Sequence, residues 1–224
     1  MKVKLSVYRY DGLRYAKPRY QIFEIDLDPR ETVSGALQYI HENFDSSLAF
    51  RFTCNIQKCG ECAVNVNNTP CLACEKTIER EMIIDPLPNL PVIKDLVIDR
   101  HKVIRDLLEK CKSLNKSNWL WHQQSMPSKV STKEIRMGLC LECLCCQSVC
   151  QVVKLYPDEF VGPLGLLWFV QKLMRLGRIA ESAGQLEDLF RRCDRCGACL
   201  KACPDSEKPL APAFSEFVRR KNNQ

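Results

Sequence analysis

Val3, Leu5 and Val7 alternate with Lys2, Lys4 and Ser6, and Phe23, Ile25 and Leu27 alternate with Glu24 and Asp26. A period of two belongs to half-buried strands, so these stretches predict a strand pair. The period then changes. In TVSGALQYIHENF, residues Val33, Ala36, Leu37, Tyr39, Ile40 and Phe44 mark one face of a helix, with Glu31 or Thr32 at its start. ECAVNVNN, from Glu61, predicts a strand running into a turn, and EMIIDPLPNLP, from Glu81, a strand stopped by prolines. Strand, strand, helix, loop, strand is an α+β pattern.

Helical spacing resumes over DLVIDRHKVIRDLLEKC, residues 95–111, and SLNKSNWLWHQQSMPS after it is polar and aperiodic, as a linker would be. The second half has helical periods instead of alternation: STKEIRMGL from Ser131, GPLGLLWFVQKLMRLGR from Gly162 and LAPAFSEFVRR from Leu210. The expected organisation is an α+β domain over residues 1–105, a linker over 106–130 and an all-helical domain over 131–224. The most apolar run, VGPLGLLWFV, ends at Gln171 and Lys172, short of the roughly 20 apolar residues that cross a bilayer, so no membrane span is expected.

The chain has 224 residues and is 46% hydrophobic, enough for real cores. Its fifteen cysteines would suit disulfides in a secreted protein, but MKVKLSVYRYDG reads as a strand and not as a signal peptide, which favours a reducing compartment. The net charge of +6 is spread along the sequence without a recognition motif. A solvated basic surface is expected and nucleic-acid binding is not. The charge also suits metal clusters, since an oxidised iron-sulfur cluster on four thiolates carries about two negative charges.

The cysteines carry the chemistry. CLECLCCQSVC, from Cys140, and CDRCGACLKAC, from Cys193, are repeats with cysteines at the same four offsets. C-x2-C-x2-C-x3-C-P is the bacterial ferredoxin run, in which three cysteines clamp one cluster and the fourth crosses to the other. By that rule Cys140, Cys143, Cys146 and Cys203 hold a first [4Fe-4S] cluster. Cys193, Cys196, Cys199 and Cys150 hold a second, or a [3Fe-4S] cluster if Cys196 does not ligate. Cys145 is left over. Zinc is the rival, because paired CxxC motifs also build tetrahedral sites, but zinc requires neither the doubled triplets nor the Cys203-Pro204 ending.

The first half carries C-x4-C-x2-C and a distant cysteine, the plant-type pattern for [2Fe-2S]. Cys54, Cys59, Cys62 and Cys74 are its expected ligands, with Gly60 letting the loop wrap closely. Cys71 and Cys111 fit small buried hydrophobes. His41, His101 and His122 lie away from every cysteine motif, which excludes a Rieske centre, and no nucleophile elbow, phosphate loop or dinucleotide fingerprint is present. The chain reads as a wire, with no bond-making site of its own.

A plant-type site, then PLPNLPVIKDLVID, then two ferredoxin runs flanking YPDEFVGPLGLL resembles the iron-sulfur subunit of succinate dehydrogenase and fumarate reductase over essentially the whole chain. The resemblance implies a β-grasp [2Fe-2S] ferredoxin domain followed by an α-helical, bacterial-ferredoxin-like domain. It implies docking on a flavoprotein subunit carrying covalent FAD and on a membrane anchor or its substitute, with peripheral placement on the cytoplasmic side of the membrane. Succinate or fumarate chemistry would occur at the partner's flavin, so no residue of this chain is catalytic. Cys145 falls where the family often has an unligating cysteine.

Departures bear on the acceptor. Cys196 stands where the family usually has a nonpolar residue beside a [3Fe-4S] cluster, so a second [4Fe-4S] is expected. Gln151 replaces a proline, Leu155 a tryptophan and Asp194 a histidine, which removes an indole and an imidazole donor from the usual quinone pocket. A non-classical member is expected, with quinone or another acceptor and a non-classical anchor subunit. The alternative is a soluble flavoprotein complex such as a thiol-driven fumarate reductase.

Overall fold

A computed structural model describes residues 1–12, 17–114, 131–178 and 182–214. They divide into two compact units: residues 1–100 with 141–149, and residues 101–140 with 150 onward.

In the first unit the strands β1 (Lys2–Arg9) and β2 (Arg19–Asp26) pair antiparallel along their whole length, from Lys2 opposite Asp26 to Arg9 opposite Arg19. The alternation of β1 puts Val3, Leu5 and Val7 inward, as a strand with one wet face requires. β1 also pairs parallel with β5 (Glu81–Asp85), which pairs antiparallel with β3 (Ala63–Val66), and β3 pairs with β4 (Thr69–Leu72). The sheet order is β2-β1-β5-β3-β4, with β1, β5 and β3 inside. Helix α1 (Val33–Asn43) buries Val33, Ala36, Leu37 and Ile40 completely, four residues of the stripe its sequence predicts, whereas Tyr39 and Phe44 of that stripe are exposed.

Thr32 is its N-cap, accepting the Gly35 amide at 3.1 Å. Thr32→Ala is expected to destabilise this unit by about 1 kcal/mol, the usual worth of such a cap, as read from the urea midpoint.

Helical spacing from residue 95 is not realised until Arg100. Residues 92–98 instead make a short hairpin, β6 (Val92–Lys94) and β7 (Val97–Ile98), turning at Asp95 with φ of 46°. Asp95 accepts the Tyr10 amide at 2.9 Å and the Ala49 amide at 2.9 Å, and these long-range bonds override the local helical period. Helix α2 (Arg100–Leu114) then runs well past residue 106, so residues 106–114 are helical and not linker; the rest of the expected linker lies outside the described residues.

Among the described residues the second unit is helical: α2, then α3 (Thr132–Gly138), α5 (Gln151–Leu155), α6 (Gly162–Arg175), α7 (Ala183–Arg191) and α8 (Ala198–Lys201), while the one-turn α4 (Cys145–Ser148) belongs to the first unit. Ser131 and Glu134 close a capping box at the start of α3. α6 is the apolar run of the sequence. It buries Leu164, Leu166, Leu167, Phe169, Val170 and Leu173, and α3 and α7 pack against it. A Cβ on Gly165 would lie 2.6 Å from Val161 Cβ and 3.1 Å from Leu107 Cδ1, so this helix needs a residue without one there. Among the described residues no helix is long and apolar enough to cross a membrane. The helix expected from Leu210 is present over residues 210–214, and its continuation lies outside the described residues.

Candidate metal centres

In the first unit, Cys62 sits immediately before β3 and Cys74 two residues after β4. The N-terminus of α1 secures the second of these positions: the Ser34 amide donates to the Ala73 carbonyl and the Val33 amide to the Lys76 carbonyl, both at 2.8 Å. The Cys62 and Cys74 sulfurs, both buried, lie 3.4 Å apart. Cys54 and Cys59 ride on a half-exposed loop whose backbone is left-handed at Asn55, Gln57 and Gly60, with φ of 51°, 59° and 68°.

That curvature aims amides inward. Cys54 Sγ accepts from the Lys58 amide at 3.5 Å and the Cys59 amide at 3.4 Å. The amide of Ile56, with that of Lys58 and the Cys59 side chain, pulls the Cys54 thiol down to about 6, whereas burial pushes Cys62 up to about 12. Amides converging on one sulfur of four suit an anionic cluster, because they stabilise thiolate over thiol.

The sequence repeat is also a backbone repeat. Glu142 and Leu144 have φ of 51° and 69° and lead into α4; Arg195 and Gly197 have φ of 58° and 73° and lead into α8. Each pair stands two and four residues past the first cysteine of its run. Leucine in the left-handed region costs roughly 1–2 kcal/mol, which Gly197 avoids at the matching place. A chain that keeps this geometry with leucine is held to it by its surroundings.

Four thiols meet at one cavity in the second unit. It has a volume of about 230 Å³ and is walled by Cys150, Cys193, Cys196 and Cys199, with Phe160, Phe190 and Phe214 among its apolar neighbours. Burial pushes Cys199 up to about 12 and raises Cys193 and Cys150, while Cys196 is exposed. Four cysteines around one apolar cavity supply the soft thiolate donor set that an iron-sulfur cluster takes. Among the described residues no three Cys, His, Asp or Glu side chains converge on a single point. Gln151 and Asp194 line the cavity, and Leu155, 65% exposed, does not.

The ligands expected of the first cubane belong to both units: Cys143 and Cys146 to the first, Cys140 and Cys203 to the second. The buried Cys145 donates to Cys143, which with the Cys145 amide and the Arg100 charge holds the Cys143 thiol low, and Cys145 itself is raised well above the usual thiol range. Cys111 is fully buried; Cys71 is half-buried, less enclosed than its reading as a core residue implies. His41 Nδ1 lies 3.1 Å from the Leu48 carbonyl within the first unit, His101 is exposed on α2, and His122 lies outside the described residues. The sequence reading missed Arg51, Glu61 and Arg100, which form a charged cluster beside Gly60 and Cys143. The one local sign is that Glu61 falls between two expected ligands.

Residues 4–105 match a 2Fe-2S iron-sulfur cluster binding domain, and residues 139–206 match a 4Fe-4S dicluster domain. The chain is 30% identical to an uncharacterized iron-sulfur protein of Methanocaldococcus jannaschii, over 96% of this chain and 44% of that protein. It is 32% identical to a fumarate reductase (CoM/CoB) subunit of Methanothermobacter marburgensis, over 90% of this chain and 41% of the relative. It thus spans less than half the length of these two relatives. The fumarate reductase iron-sulfur subunit of Mycobacterium tuberculosis is 28% identical, with 93% of this chain and 88% of that one covered. Among solved structures, a chain of the Mycobacterium smegmatis Sdh1 complex in the apo form has the same fold, with a TM-score of 0.75 and 22% identity over 99% of this chain and 97% of that one.

Proposed function

We propose that this chain, similar to the iron-sulfur subunits of fumarate reductases and matching a [2Fe-2S] domain and a [4Fe-4S] dicluster domain, carries electrons through three clusters between the FAD of a flavoprotein subunit and a quinone or anchor site. The ligand sets are Cys54, Cys59, Cys62 and Cys74 for [2Fe-2S]; Cys140, Cys143, Cys146 and Cys203 for the first [4Fe-4S]; and Cys150, Cys193, Cys196 and Cys199 for the second. The carrying observation is the cavity walled by four cysteines, three from the second run and Cys150 from the first. Bound clusters would supply single-electron steps, which split the two-electron chemistry of a flavin.

The residues around them support that use. Left-handed backbone wraps each loop inward, amides at Cys54 favour the thiolate, and the phenylalanines beside the third set exclude water. With Gln151 and Asp194 at that cavity, the acceptor end has a carboxylate where an imidazole donor is usual, and we assign the chain to a non-classical, peripheral, cytoplasmic-side complex whose anchor supplies the contacts to quinone.

Anaerobic purification of the native complex tests this. About ten irons per chain are expected from one two-iron and two four-iron centres, together with a flavin-bearing partner. Zinc in place of iron, or roughly four irons per chain, would overturn the ligand assignment. Iron without a flavoprotein would overturn the proposed partner.

A further inference from the structure

We infer that Arg100 is a positioning residue that fastens the loop of the two-iron centre to the loop of the next centre, and so fixes the contact across which those centres exchange electrons. This rests on the ligand assignment proposed for the three clusters. Glu61 lies between Cys59 and Cys62, and its Oε1 accepts from Arg100 Nη1 at 2.8 Å. The other arm of the same guanidinium, Nη2, donates to the Glu142 carbonyl at 2.9 Å and approaches the Leu141 carbonyl at 3.5 Å, beside Cys143. One side chain thus holds a loop 39 residues before it and a loop 42 residues after it.

The planar fork of arginine makes this reach; a lysine ammonium is a single point and cannot serve both partners with the same geometry. The Arg100 side chain is only 18% exposed, so these charge-assisted bonds act where water screens them weakly. Arg51 takes the second oxygen of Glu61 at 3.3 Å, which leaves the carboxylate neutralised from two sides beside a centre that is itself anionic.

Gly60 is the other half of the junction. Its φ is 68°, and a Cβ there would lie 2.7 Å from the Leu141 carbonyl oxygen and 3.1 Å from Cys143 Cβ. The two loops therefore touch with no side chain between them. Gly60, between two expected ligands of one centre, abuts Cys143, an expected ligand of the next, so the two ligand loops meet here in direct contact. Electronic coupling decays steeply with separation, so what sets this contact sets the rate across it.

The test uses the intact, anaerobically prepared protein and its Arg100→Gln and Arg100→Lys variants. In the native protein, reducing the first four-iron centre should speed the spin relaxation of the reduced two-iron centre, seen by electron paramagnetic resonance. Arg100→Gln is expected to keep the full iron content, lose much of that enhancement and lower the potential of the first four-iron centre. Amides of residues 142–145 should exchange with deuterium about tenfold faster, the loss implied by one charge-assisted hydrogen bond. Arg100→Lys keeps the charge, so the potential should stay near the native value while relaxation and exchange still change.

Full iron with unchanged relaxation and exchange in Arg100→Gln would overturn the inference. If that variant loses its clusters, Glu61→Gln decides on the same readouts, because it weakens one end of the clamp and leaves the guanidinium. No change there would overturn it equally. Failure of the ligand assignment is distinguishable: the native protein itself would then lack the two-iron or the four-iron signal, while exchange at residues 142–145, which needs no cluster, still reports on the clamp.

Discussion

Cys196→Val is expected to leave about nine irons per chain where about ten are bound, and to bring up the signal of an oxidised three-iron cluster with the other two centres intact. Cys196 is the exposed thiol of the four that wall the cavity, and the other three are partly or wholly buried. Removing it strips one corner of the set while Cys150, Cys193 and Cys199 keep their walls. Those three sulfurs suffice for a three-iron cluster, and valine cannot hold the fourth metal. Because cluster type is one of the determinants of potential, the third centre should also change its midpoint, and electrons should leave the chain at a different potential. The measurement is iron per chain with electron paramagnetic resonance of the oxidised protein. A variant that retains all its iron and shows no three-iron signal would remove Cys196 from the ligand set. A native protein that already shows that signal in stoichiometric amount would do the same.

The features that could be read from the sequence are those whose cause is local. Cysteine offsets announce the cluster loops because a run of eleven residues contains the whole geometric demand, and the left-handed turns recur two and four residues into both runs. Alternation in β1 and the helical stripe of α1 are local in the same sense. Residues 95–99 misled because Asp95 answers to partners far away: Tyr10 and Ala49 lie 85 and 46 residues from it. A periodicity argument cannot weigh such bonds. Arg100 was invisible for the same reason, since its role exists only once residues 61 and 142 have been brought to it. Leu144 shows the converse limit. Glycine at 197 signals a left-handed turn, but leucine at the matching position gives no sign of one, and only the repeat, taken as geometry, would have exposed it.

Asp95→Leu is expected to destabilise the first unit by about 3–5 kcal/mol, the scale for breaking one partner out of a buried ion pair. Arg9 is 2% and Asp95 1% exposed at the side chain, with Nε to Oδ1 at 3.1 Å, so neither charge has water to fall back on. The loss has three parts. Arg9 keeps Asp45, Ser47 and Gln21 but is left with half of its counter-charge and an unpaired buried donor at Nε. The Tyr10 and Ala49 amides lose their acceptor. The turn at φ of 46° then carries a branched, apolar residue where aspartate tolerated it. Arg9→Met combined with Asp95→Leu should cost less than the sum of the two single changes, because each alone leaves the other's buried group unsatisfied, yet remain destabilised by the two orphaned amides and by the loss of Arg9 from Asp45. Acid should act on the same network through Asp45, whose carboxyl is held well below the usual carboxylate range by Ser47 and by Arg9 despite its partial burial. A depressed folded-state value means stability fully present above the ordinary carboxylate range, near pH ~4, and lost as the pH falls toward the folded value. Native-state hydrogen exchange of the β1 and β5 amides reads all of this. Protection in Asp95→Leu equal to that of the native chain would show that the buried pair contributes nothing to holding the sheet to the segment that leads into the first cluster loop.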